Sequence, residues 1–184
     1  MTEARWIFLR AVALAASVAL SSGSASGQSV QSDYDRSYDF SRLKTFDFSR
    51  QPLGPNDPLA RNELNERRVR MALDSQLVAQ GFTRDSTSGK PDFVVAYHAT
   101  TRNRLNVTDW GYGPGRWRDR RIDVNEYTEG TLIVDVVTAA NMELVWRGTA
   151  TGTVQPKDAD KKIRNAVTKM MKQFAKDRAK AGKG

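Results

Sequence analysis

Gly130-Thr131-Leu132-Ile133-Val134-Asp135-Val136-Val137, then Thr138-Ala139-Ala140-Asn141, then Glu143-Leu144-Val145-Trp146-Arg147-Gly148-Thr149-Ala150 is the stretch that decides the fold. Residues 131–137 are rich in β-branched side chains, and alternation along a strand sends neighbours to opposite faces. Leu132, Val134 and Val136 therefore share one face, while Ile133 and Val137 flank Asp135 on the other. The small polar turn that follows predicts an antiparallel hairpin with a strand from Glu143 to about Val154. Asp135 then needs a hydrogen-bonding or ionic partner, and Arg147 on the paired strand is the candidate.

Toward the C-terminus, Asp158 or Asp160 begins a helix. Ile163, Val167, Met170, Met171 and Phe174 recur at the spacing of one buried stripe. Lys161, Lys169, Lys172 and Lys176 occupy the opposite face, and Arg178, Lys180 and Lys183 add to the same charge if the tail is free.

Toward the N-terminus, Pro91 to Thr101 reads as a strand with Phe93, Val95 and Tyr97 on one face. Arg102 to Ile122 reads as a long polar segment interrupted by Trp110-Gly111-Tyr112-Gly113-Pro114-Gly115-Arg116-Trp117. Asp57-Pro58 reads as a helix start, Asp as N-cap and Pro at the first helical position. That helix runs to Gln80, with Gly81 as a left-handed stop. Val69, Ala72, Leu73 and Leu77 form its main face, and Leu64, Met71 and Val78 a second. The helix is therefore expected to be covered on more than one side, with a partner-binding stripe as the alternative. Residues 51–56, with two prolines and a glycine, form a loop. Thr45 to Phe48 forms a short strand, and Gln28 to Asp33 reads as polar and loose. The predicted order is β-α-β-β-β-α: an α+β two-layer sandwich, a mainly antiparallel sheet with both helices on one face.

The first 27 residues have the three-part pattern of a secretory signal. Arg5 and Arg10 flank the start, Ala11 to Leu20 is apolar, and small residues follow through Gly27. The apolar run is shorter than the roughly 20 residues of a membrane span. Cleavage after Ala25 or Gly27 fits, and Glu3 alone favours a frayed cytosolic helix instead. The expectation is a signal peptide at 1–27, a single domain at 28–184 and a periplasmic destination. A domain of that size buries about 70% of its unfolded surface without disulfides.

The chain has no cysteine, which removes thiol catalysis, cysteine–zinc sites and iron–sulfur clusters. Its net charge is +8, and without the leader +7. A basic surface suits anionic envelope components or an acidic protein partner, and export sets nucleic acid aside.

Four stretches together resemble one known family. They are Asp33-Tyr34-Asp35 with Asp39 to Phe46, Asp57-Pro58-Leu59 with Arg67 to Phe82, Pro91-Asp92-Phe93 with Tyr97-His98, and Tyr127-x-Glu129-Gly130 to Asp135 with Leu144 to Ala150. They resemble the bacterial envelope proteins grouped as domain of unknown function 4136. The resemblance covers nearly all of residues 28–184 and implies no activity or catalytic residues. It implies lipoproteins anchored through a cysteine after the signal. Without a cysteine, no lipid anchor is expected here.

Candidate chemistry is thin. His98 is the single histidine, and no second ligand stands at metal-binding spacing from it. Glu129 and Asp135 lie about 20 Å apart along one strand, too far for a paired-carboxylate hydrolase. No nucleophile elbow or phosphate loop is present, and no cofactor is implied. The best candidate binding surfaces are Trp110, Tyr112, Arg116 and Trp117, whose rings and charge suit sugars or apolar partners, and the lysine face of the last helix. The aromatics could equally fold back on the domain. The expected function is that of a non-catalytic exported protein binding an anionic envelope component or a protein. The alternatives are an uncharacterised periplasmic hydrolase and a subunit of an envelope assembly.

Overall fold

The computed structural model describes residues 28–109 and 122–181; the side chains of 104–109 and 122–126 lie outside that description. The predicted hairpin is present as β5 (Ile122–Thr138) and β6 (Leu144–Thr153), with Asp135 opposite Arg147. Strand β4 (Phe93–Asp109) lies antiparallel on the other side of β5, Val95 opposite Val136 and Tyr97 opposite Val134. Strand β1 (Ser29–Tyr34) pairs antiparallel with β6, while β2 (Thr45–Phe48) pairs parallel with β4 and β3 (Thr83–Arg84) parallel with β2. The result is an open six-stranded sheet in the order β1-β6-β5-β4-β2-β3, mainly antiparallel. Helices α1 (Glu63–Ala79) and α2 (Ala159–Ala181) pack against each other and on one face of it, giving the predicted α+β sandwich.

Alternation selects the face the helices cover. Phe46, Phe93, Val95, Val134 and Val136 of the sheet meet Val69, Leu73 and Leu77 of α1 and Val167, Met170, Met171 and Phe174 of α2, and all are buried. Each contributes about 1.5–3 kcal/mol by leaving water. Trp146 lies in the same core, its ring 5.0 Å from that of Phe174 and across Gly148. A Cβ on Gly148 would meet that indole at 2.2 Å. At the end of α1, Gly81 takes φ +89° and Phe82 N–H donates back to the Leu77 carbonyl at 3.2 Å, the predicted left-handed stop.

Five elements, β1, β3, β4, β5 and α1, differ from the sequence reading. The second face of α1 is also exposed, at Leu64, Met71 and Val78, where the sequence reading expects cover. The reason is that among the described residues the sheet and α2 pack on the Val69, Leu73 and Leu77 side. Gln28 to Asp33 is not loose: residues 29–34 form edge strand β1, whose alternate positions Val30 and Tyr34 pack on the core. An edge strand covered on one face needs few apolar residues, so its composition reads as polar. The two-residue strand β3 is a second addition, making the order β-β-α-β-β-β-β-α. Strands β4 and β5 extend to Asp109 and from Ile122 by pairing with each other, so residues 102–109 of the expected polar segment belong to a two-stranded ribbon.

Finally, α1 begins at Glu63 with Asn62 as its cap, not at Asp57-Pro58. The buried Asp57 accepts from Leu59 N–H at 2.8 Å and from Ala99 N–H of β4 at 3.0 Å. Strand β2 ends at Phe48, opposite Val95, so the Asp57 carboxylate satisfies a β4 amide beyond the reach of its neighbour strand.

Candidate functional site

The lysine face is formed as the spacing predicts. Lys161, Lys169, Lys172 and Lys176 are all exposed along α2, a helix of 23 residues. The acids of that helix point elsewhere. Asp160 pairs with Arg164 and, at 3.7 Å, with Arg68 of α1. Asp177 is buried and accepts from Trp146 Nε1 at 3.1 Å, Ser32 Oγ at 2.7 Å and Gln173 Nε2 at 2.9 Å. Among the described residues none of the four lysines forms an ion pair; Lys169 Nζ donates to the Gln28 carbonyl at 3.4 Å. Arg178, read from sequence as an addition to this charge, instead stacks over Phe82 and Phe174, its guanidinium 4.5 and 5.5 Å from the rings. Burial there lowers its pKa from the ordinary arginine value.

Trp110, Tyr112, Arg116 and Trp117 lie outside the described residues, as does Lys183. The acid and base candidates are not assembled into a site. Asp135 is held by Arg147 through two hydrogen bonds of 2.7 Å, the predicted partner, and this carboxylate raises the Arg147 pKa. His98 stands opposite Ile133 and Glu129 opposite Arg102 and Thr153, six residues along β5 from Asp135.

A cleft of about 870 Å³ opens where β2 stops and β4 continues. The loop after Phe48, the start of α1, Arg84 and Tyr97-His98 line it. Arg70 and Arg84 place their guanidinium carbons 4.8 and 5.2 Å from the centre of the Phe48 ring. Asp47 sits between Arg84 at 3.7 Å and Arg50 at 3.8 Å. Tyr97 donates to Glu66; burial first, and that hydrogen bond second, push its phenol well above the usual range. Glu63 is 3.5 Å from Arg67. Each acid of the cleft thus has a donor within the fold. Among the described residues no group of three metal-ligating side chains occurs. The residues that build the cleft come from positions 47 to 98, and although His98 and the loop at 51–56 stand out singly in the sequence, no local motif joins them to Asp47, Glu66, Arg70 and Arg84.

Among the described residues no helix is long and apolar enough to cross a membrane. The family model described as "Domain of unknown function (DUF4136)" matches residues 30–174. No curated protein matches the chain. Among solved structures, the chain is similar to a DUF4136 family protein from Bacteroides thetaiotaomicron, with a TM-score of 0.53 and 15% identity over 80% of this chain and 96% of that one. A PDZ domain protein from Parabacteroides distasonis gives a TM-score of 0.54 at 15% identity, over 80% of this chain and 36% of that one; the chain spans about a third of its length. The PelC dodecamer from Paraburkholderia phytofirmans gives 0.45 at 14% identity, over 79% and 95%. At these identities the first two likenesses show the fold alone.

Proposed function

The chain belongs to the DUF4136 family, a domain of unknown function, and from that premise we propose that it is an exported, non-catalytic envelope protein that binds an anionic envelope component through the lysine face of α2. The observation that carries the reading is the set of four exposed lysines on one helix whose own acids are engaged elsewhere. Residues 1–27 read as a secretory signal and serve as the route to that compartment. The sequence has no cysteine for lipid attachment, so contact with the envelope falls to the folded surface.

The magnitude is modest. Near an anionic bilayer each lysine contributes about 1 kcal/mol, and four contribute roughly 4 kcal/mol. That corresponds to a dissociation constant on the order of 1 mM, an accessory contact and not a permanent anchor.

The test is co-sedimentation of the purified chain with phosphatidylglycerol vesicles, with phosphatidylcholine vesicles and with cell-wall fragments. Binding to an anionic phase, lost when Lys169, Lys172 and Lys176 are replaced by Glu, supports the reading. Equal binding by the native and reversed proteins removes the lysine face from the account.

A further inference from the structure

On the helix-covered face of the sheet, side chains become small toward the β4–β5 ribbon. Ala99, Leu132 and Ala150 stand opposite one another on β4, β5 and β6. The next positions that alternation places on this face are Thr101, Gly130 and Gly152. Above them α2 presents Ala159 and Ala166, both buried. At Gly148 the same face is filled by the Trp146 ring. Here small residues meet small ones, and a pocket of about 120 Å³ stays open between sheet and helices, walled by Val69 of α1 and Ile163 of α2.

That is the volume of about four water molecules, or of a run of about four methylene groups. Water stays in such a space only where several polar groups hold it, and two polar side chains of the lining are already engaged. Gln28 Nε2 donates to the Lys162 carbonyl at 2.7 Å, and Asn65 Oδ1 accepts from Arg68 at 2.8 Å. The charged group of the lining is Lys162. It is half-buried, and among the described residues it forms no ion pair. No carboxylate lines the pocket.

We propose that this pocket takes the hydrocarbon tail of a free, single-chain anionic amphiphile of the fatty-acid type, with Lys162 at its head group. Aliphatic walls with one ammonium and no acid match that charge pattern and oppose a cationic amphiphile. The space admits one chain, so the paired chains of a bilayer lipid do not enter together. The site is separate from the lysine face and requires neither a bilayer nor the four exposed lysines.

The test is titration of the isotope-labelled full chain with dispersed octanoate, butanoate and octyltrimethylammonium, followed by amide chemical shifts. Each methylene buried raises affinity about fourfold. Octanoate is therefore expected to bind on the order of 100-fold more tightly than butanoate, shifting Ala99, Ala150 and Ile163, and the cationic amphiphile at least about tenfold more weakly than octanoate. Ala99→Leu fills the space and should abolish octanoate binding in the folded chain. If that leucine prevents folding, Lys162→Glu decides alone: it should lose octanoate and gain the cationic amphiphile with unchanged circular dichroism. Equal binding of the two amphiphiles, no binding of octanoate, or octanoate binding that survives either substitution overturns the proposal. Replacing Lys169, Lys172 and Lys176 by Glu should leave octanoate binding unchanged, so the pocket and the lysine face can each fail without the other. Loss of octanoate in that variant would also overturn the separate site.

Discussion

The indole N–H of Trp146 on β6 donates to the carboxylate of Asp177 on α2 at 3.1 Å, with both residues 1% exposed. Ser32 of β1 and Gln173 of α2 donate to the same carboxylate, so one acid ties two strands to the last helix. A buried carboxylate is stable only when its oxygens are satisfied, and removing it leaves the buried indole donor unpaired. Asp177→Ala is expected to lower unfolding stability by about 2–4 kcal/mol, read as a shift in denaturant midpoint. Trp146→Phe, which removes the donor and part of the ring, should also destabilise. If Asp177→Ala leaves the midpoint unchanged, this tie is not a stabilising contact.

Gly148 provides a second test of the same corner. Its missing Cβ makes room for the Trp146 ring, and a methyl there would lie 2.2 Å from an indole carbon. The ring is buried and lies 5.0 Å from that of Phe174, so a shift away from the methyl would disturb packed core. Gly148→Ala should cost about 1–3 kcal/mol by overpacking, with loss of near-ultraviolet circular dichroism from the tryptophan. A neutral result would mean that the indole is not fixed across the glycine.

Asp92 joins β2 to β4 at the start of their parallel pairing. Its Oδ2 accepts from Thr45 N–H and Lys44 N–H, both at 2.8 Å, and from Thr45 Oγ1 at 3.1 Å. The Thr45 amide, ahead of the others, holds the carboxyl below its ordinary value. A lowered folded pKa means that this stabilisation is present above the unfolded value, about 3.9, and disappears as pH falls through the folded pKa. The group is largely exposed, so the effect is under about 1 kcal/mol. Asp92→Asn should flatten the stability curve below about pH 4 relative to the native chain. Identical acid limbs for both proteins would exclude the clamp.

Tyr97 behaves in the opposite sense. Its phenol is held protonated by burial and by its bond to Glu66, so folding favours the neutral form. The stabilisation is complete below the unfolded tyrosine pKa, about 10, and declines as pH rises above it. Burial also raises the Tyr38 phenol, so spectroscopic titration should find two tyrosines that ionise later than the exposed ones, one of them absent in Tyr97→Phe. Loss of no late-titrating group in that variant would place the perturbed phenol elsewhere.

The parts of this fold that were readable from sequence are those whose signal is local. Alternation from Leu132 to Val137 gave the hairpin and set Asp135 beside Arg147. The spacing of Val167, Met170, Met171 and Phe174 gave the buried face of α2, and by complement its lysine face. Strand β1 escaped because Ser29–Tyr34 buries only alternate residues against a neighbour more than 100 residues away. Asp57 has the local chemistry of a helix cap, but its second oxygen is used by Ala99, a contact no local pattern carries. Asp177 reads as one more charge on a basic helix until Trp146 and Ser32 are brought to it. The cleft around Phe48 is built the same way, by residues joined only in the folded chain.

The most direct measurement of the proposed function is the partition of the purified chain onto phosphatidylglycerol vesicles across a salt series. Opposite charges attract within a screening length of about 10 Å at 0.1 M salt, shrinking as salt rises. The account predicts binding that falls steadily with salt and that disappears when Lys161, Lys169, Lys172 and Lys176 are all replaced by Glu. Salt-independent partition, or equal partition by the native and reversed proteins, would contradict it.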